Sequence, residues 1–224
     1  TQSPCPADNL YRIIGVFDNK VGENQSEQRV KLIKSTSIGN KQWNSTDNNT
    51  WSTSSLNTYL NNGFINTFDV ATKGKIAETL WKVGGNFYDK ISNQPAKTAY
   101  QNEVVKPVPG LSSSNGETEH PAKIGLMYAS DYGFAAAPSA WTTNLYDYDG
   151  EAIKSVNWMY LGAGEWTISR YADLYYIVFE VYYTGSVSSN NTVNEVGVRP
   201  VFSFSSSTSY VSGSGSSTDP IVVN

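Results

Sequence analysis

The 224-residue chain reads as an α+β domain, and three features of its order carry that reading. Alternating runs of β-formers open the chain. Runs with helical spacing follow. A late block of short strand signals closes it, and strands, then helices, then a second antiparallel sheet is the α+β order. The length suits one domain with insertions or two small ones. The element order is read as one domain, 1–224.

NLYRIIGVFD (9–18) alternates and predicts a strand, and QRVKLIKS (28–35) predicts the next, with Val30, Leu32 and Ile33 as core candidates. Residues 37–50 are a polar loop. SSLNTYLNNGFINTF (54–68) places Leu56, Tyr59, Leu60, Phe64 and Phe68 near one helical face, with Ser54 or Ser55 as cap. Asn61, Asn62 and Gly63 weaken its middle, so a broken helix is expected. ATKGKIAETLWKVGG (71–85) predicts a second helix carrying Ile76, Leu80 and Trp81, stopped by Gly84 and Gly85. Pro95, Pro107, Pro109 and Pro121 punctuate 86–121, which reads as a long excursion with little regular structure, functional or mobile.

Residues 122–135 start as a strand and 142–154 form a loop. Residues 156–170 bring Trp158 and Trp166. EWTISR, LYYIVFEVYYTG, SVSSNNTV and VGVRPVFSF then predict successive antiparallel strands, before a Gly/Ser turn and a short terminal strand. The first strand is expected to pair with the last long one, so that N- and C-terminal strands meet. Pro200 cannot donate to a ladder, so its strand is an edge or is bulged there. Arg199, amid Val198 and Val201, predicts a buried carboxylate or carbonyl partner.

Composition narrows the function. Charged residues are 16%, net charge is −4, and no basic stripe appears, so nucleic-acid binding lacks its electrostatic footprint. No apolar run approaches a membrane span. Fifteen Tyr among many Ser, Asn and Gly resemble the composition of antibody paratopes. An ordinary secreted β-rich protein has a similar mixture. The chain begins at Thr1 without a signal peptide and is expected to be a mature or trimmed piece. Its one cysteine, Cys5, is a free thiol or pairs with a residue upstream.

The aromatic and amide residues concentrate in 171–195, just before the strand signal at 196–204. Strand side chains alternate faces. Ile177, Phe179, Val181 and Tyr183 form the more apolar face and are expected in the core. Tyr176, Val178, Glu180 and Tyr182 are then expected to face outward. Tyr171, Asp173 and Tyr175 begin the same outer face, and Ser188, Asn190, Asn191 and Asn194 extend it, with Val187 and Val193 as anchors. Exposed Tyr supplies apolar area and a hydroxyl, and Asn both donates and accepts. A face of this kind suits a protein or glycan ligand. The plainer reading is a sheet of half-buried β-forming Tyr.

LYRIIGVF, RVKLIKS, WSTSSLNTYLN, KIGLMYASDYGFA, NWMYLG followed by EWTISR, and GVRPVFSF followed by YVSGSGSSTDPI occur in this order over nearly the whole chain. Together they resemble a family of exported gut-Firmicutes domains. That family is similar to the formylglycine-generating-enzyme branch of the C-type-lectin fold and to the variable proteins of diversity-generating retroelements. The resemblance implies a C-type-lectin-like fold. It implies that a reverse transcriptase rewrites codons near the 3′ end at template adenines, which turns Asn codons into Tyr, Ser and Asp. It also implies that the rewritten residues form the ligand site on the late strands, that Cys5 has an upstream partner, and that the protein is displayed on a cell or virion surface.

Other constellations are weaker. His120, the only histidine, has no nucleophile motif around it. Asp147, Asp149 and Glu151 alternate around a Gly but lack the spacing of a calcium loop. SGSGSS (212–217) lacks the strand and helix of a phosphate loop. The six Trp read as core or loop anchors, with Trp141 and Trp158 kept open as sugar platforms beside the expected site.

The expectation is therefore a non-enzymatic, extracellular recognition domain without metal or cofactor. Its expected ligand is a protein or glycan on another cell or a host surface, bound on 171–195 and framed by 9–170 and 196–224. Nucleic acid is not expected as a partner, and a membrane is expected only through a segment outside this chain. The alternatives are a structural subunit or adhesin of a surface filament or pilus, and a calcium-dependent glycan lectin.

Overall fold

A computed structural model describes residues 9–22, 25–109 and 116–224, so Cys5 lies outside the described residues. In chain order, β1 (Tyr11–Gly22), β2 (Gln25–Lys34) and β3 (Asn40–Gln42) lead to α1 (Ser55–Asn62), α2 (Val70–Lys75), β4 (Thr79–Lys82) and β5 (Gly85–Asn86). Helices α3 (Tyr88–Ile91) and α4 (Ala96–Tyr100) run into a π-helical turn at Gln101–Val105. Then come β6 (Glu119–Ala122), β7 (Ile124–Gly125), α5 (Ala129–Phe134), α6 (Glu151–Lys154) and β8 (Glu165–Tyr171). Strands β9 (Ile177–Val181), β10 (Val187–Asn191), β11 (Glu195–Gly197), β12 (Val201–Ser203), β13 (Tyr210–Ser212) and β14 (Val222–Val223) complete the α+β fold.

One sheet runs β1-β2-β12-β7 and the other β10-β9-β8-β11-β3, with β5 beside β8. The first strand therefore does not meet the last long one. Strand β12 pairs with β2 and β7, and β1 is left on the edge. The reason lies in β2, which bonds β12 with the backbone edge that β1 leaves free: Phe204 N donates to Val30 O and Lys34 N to Pro200 O, both at 3.0 Å. The other late strands follow expectation for β8, β9 and β10, which form an antiparallel meander. Strand β11 departs from it, lying parallel to β8 and antiparallel to β3.

The chain changes sheets between β11 and β12, where Pro200 interrupts the ladder as its missing N–H requires. Strand β2 buries Arg29, Lys31 and Ile33, while Val30 and Leu32 are only half-buried. The lysine is accepted inside because its ammonium pairs with Asp131 and lies 4.5 Å from the centre of the Tyr128 ring.

Helix α1 starts where expected, with Ser54 Oγ accepting from Asn57 N at 3.0 Å, and stops at Gly63. Leu56, Leu60 and Phe64 are buried, but Tyr59 is exposed under the Lys41 ammonium. The second expected helix is much shorter. It ends at Lys75, and none of its residues is buried. Leu80 and Trp81 lie on β4, because 79–82 pair with β6 and the Trp81 indole donates to Ala122 O at 3.1 Å. The 86–121 excursion is in fact helical over α3, α4 and the π turn, where Ala96, Ala99 and Glu103 are buried. Trp43, Trp51, Trp81 and Trp166 are fully buried and anchor the core.

Candidate functional site

The face expected on 171–195 is split by the structure. Tyr171 is not in a turn; it is the last residue of β8. Its ring stacks on Phe179 at 4.6 Å and its hydroxyl donates to Ser189 Oγ at 3.3 Å. Burial raises its pKa to about 12. Glu180 is also buried, so neither residue belongs to an outer surface.

Strand β9 fails the expected alternation because both its faces are covered. Val178, Phe179, Glu180 and Val181 are all buried, so successive side chains on both faces are covered, while β8 and β10 take the strand's two edges. The alternation also stops at Val181. Beyond it the chain turns, with Tyr182 N donating to Ser186 O and Gly185 at φ +105°. Tyr183, expected in the core, is consequently 55% exposed, and it touches Tyr182 at 4.3 Å between ring centres.

Of the remaining expected residues, Ser188 pairs with Glu180 toward the Tyr182 end, and the others apart from Tyr182 gather at the other end of β9. Asn190 pairs with Val178 and Asn191 with Ile177, and Thr192 N donates to Tyr176 O at 2.9 Å. Tyr175 and Tyr176 meet edge-on at 5.2 Å. Asp173, Leu174, Tyr175 and Asn194 are exposed, while Tyr176, Ser188, Asn190 and Asn191 are half-buried. Tyr182 lies across the length of β9 from this cluster.

A short polar chain ties the cluster to the interior. Asn194 Nδ2 donates to Asn190 Oδ1 at 2.6 Å, and Asn190 Nδ2 donates to Glu180 Oε2 at 3.2 Å. Burial raises the Glu180 pKa, against the pull of the Asn190 hydrogen bond. Glu180 thus anchors the site from below.

Residues outside 171–195 hold the loop between β8 and β9. Asn49, fully buried, donates Nδ2 to the carbonyls of Tyr171, Leu174 and Ile177 at 2.8 to 3.0 Å, and its backbone N–H reaches Tyr175 O. Its Oδ1 accepts from Arg170 Nη1 at 3.3 Å, and Arg170 also donates to Val83 O and Glu117 O. Sequence reasoning missed both. Asn49 stands in a run of loop-type polar residues, and nothing in DNNTW distinguishes it from its neighbours.

Two further buried carboxylates lie off this surface. Glu103 accepts from Ser130 N at 2.7 Å and from the Ser169 hydroxyl, and burial raises its pKa to about 7. Glu165 accepts from Arg199 through both oxygens, as the sequence led one to expect. Burial pushes Glu165 up, to about 7, while Arg199 pulls it down. The two-point contact is that of the ionised form. His120 is taken up by Glu117 at 3.2 Å and Asn57 at 3.3 Å. Among the described residues no group of three or more His, Cys, Asp or Glu converges as metal ligands. Nor is any helix among them long and apolar enough to cross a membrane.

A family model described as a domain of unknown function, DUF6273, matches residues 27–206. The chain belongs to this family. No curated protein and no solved structure matches it. The DUF6273 match takes in the entire second sheet and the 171–195 segment. It leaves out all of β1 and the β13–β14 hairpin.

Proposed function

We propose that this DUF6273 domain is a recognition module. It is exported and surface-displayed, and it binds a protein or glycan ligand without catalysing a reaction. Its frame is a variant of the C-type-lectin fold, and its binding surface is written by a diversity-generating retroelement. One observation carries the reading. Tyr175 and Tyr176, on backbone held by buried Asn49, and Asn191 and Asn194, on β10 and the turn after it, present rings and amides around one end of β9 and β10. Mutable side chains on an immobile main chain are what a diversified site needs, because substitution then changes the ligand without cost to the fold.

Sequencing the locus in several isolates tests this. The expected result is a near-copy of the 171–200 codons beside a reverse-transcriptase gene, with mismatches at template adenines. Differences should fall on Asp173, Tyr175, Tyr176, Tyr182, Tyr183, Asn190, Asn191 and Asn194, and should spare Tyr171 and Glu180. Absence of the copy, or variation spread evenly over buried and exposed positions, overturns the diversified-site reading.

A further inference from the structure

A cleft opens beneath β1, and none of the Tyr/Asn cluster lines it. Ile14 and Phe17 of β1, Asp131 and Phe134 of α5, and the loop residues Trp141 and Trp158 enclose about 310 Å³. That volume falls within the range of small-molecule sites. Phe17 and Asp131 also line a smaller neighbouring cavity of about 100 Å³ that contains Lys31. The structure therefore moves Trp141 and Trp158 from the expected site to a place of their own.

The aromatic walls are held before any ligand arrives. Trp141 donates its indole N–H to Ala136 O at 2.9 Å, and Phe134 meets its ring edge-on at 5.5 Å. Arg12 lies 4.9 Å from the centre of the Trp158 ring and donates to the Trp158 carbonyl at 3.0 Å. Phe134 and Trp141 still leave 37% and 39% of their surface open to water. Rings that are exposed yet already fixed lose little further entropy when a ligand covers them.

The charges select the ligand class. Asp131 Oδ2 accepts from the Lys31 ammonium and from Tyr128 N, and among the described residues no donor is found for Oδ1. A hydrocarbon in the cleft would take water from that oxygen and return no hydrogen bond. Asp131 is the one charged residue lining the cleft, and the Lys31 ammonium already matches it, so a cation would have to displace Lys31 and an anion would face a carboxylate. An uncharged ligand with an apolar ring face and a hydroxyl donor meets all these conditions.

We propose that the cleft binds a neutral saccharide. One sugar ring lies with its C–H face against Trp141 and Trp158 and donates a hydroxyl to Asp131. The site shares no residue with the Tyr/Asn cluster, so it stands if the recognition reading fails.

Saturation-transfer NMR on the whole chain tests it, with methyl glucoside, methyl galactoside, N-acetylglucosamine and fucose as probes and hexanoate, choline and cyclohexane as contrasts. The expected result is saturable binding of at least one sugar, weakened about tenfold or more by Trp141→Ala and by Phe134→Ala. Tyr175→Ala should leave it unchanged, and thermal melts should show all three variants folded. Either cleft variant alone is decisive, so misfolding of one leaves the other to test the site. The proposal is overturned if no sugar saturates below roughly 50 mM. It is also overturned if both cleft variants bind like the parent, if Tyr175→Ala abolishes binding, or if a contrast probe outcompetes the sugars.

Discussion

Arg199 grips Glu165 with two parallel hydrogen bonds, Nε to Oε1 at 2.5 Å and Nη2 to Oε2 at 2.6 Å, and both residues are buried. The pair bolts the point where the chain changes sheets to the first residue of β8. Arg199 Nη2 also donates to Met159 O at 2.7 Å. Removing one partner leaves a buried charge without its counter-ion. Arg199→Met should cost about 3–5 kcal/mol in urea unfolding. The double variant Arg199→Met, Glu165→Leu should recover part of that loss, and a further loss instead would show that the pair is more than self-compensating.

Asn49 satisfies three carbonyls and one guanidinium from inside the fold. Asn49→Ala removes these bonds, but Leu174 O keeps the Ile177 N–H and Arg170 keeps Val83 O and Glu117 O, so only part of the set is left unsatisfied, at about 1–3 kcal/mol for each such group. A total loss of about 2–4 kcal/mol is expected. Hydrogen exchange should speed up in 172–177 ahead of the rest of the domain. Uniform acceleration would mean that Asn49 supports global stability alone and does not hold the loop.

Glu103 makes stability depend on pH in a definite direction. Its folded pKa is raised to about 7 from 4.5, so the folded state holds a proton that the unfolded chain has released. Its contribution is therefore complete below pH 4.5 and is lost as pH rises toward 7. The full swing is about 3 kcal/mol. Glu103→Gln should flatten the decline between these limits, as read from urea midpoints across the range. An unchanged slope would rule out Glu103 as its source.

Tyr171 and Tyr175 separate frame from surface. Tyr171→Ala removes a ring stacked on Phe179 and should cost about 3–5 kcal/mol. Tyr175, 44% exposed, should tolerate Ala within about 0.5 kcal/mol. Calorimetric melts of the two variants decide this. Equal losses would mean that the exposed cluster is part of the core.

Signals confined to a few neighbouring residues were legible in the sequence. The Ser54 cap and the Gly63 stop of α1, strand signals at 9–18 and 165–170 that fall within or largely overlap the observed strands, the break at Pro200 and a carboxylate partner for Arg199 all depend on local chemistry or on one strong pairing need. The α+β order followed from the succession of periods along the chain.

Tertiary packing decided the rest, since burial is a property of what lies opposite and not of the strand itself. Alternation in β9 could not show that both its faces would be covered, burying Glu180, or that the turn after Val181 would leave Tyr183 in water. Helical spacing at 76–81 yielded to pairing with β6, because a partner strand satisfies the backbone as fully as a helix does. Strand β1 became an edge because β2 committed its second side to β12. Asn49 and Lys31 draw their roles from residues 100 to 128 positions away, and no short window along the chain contains both members of such a contact.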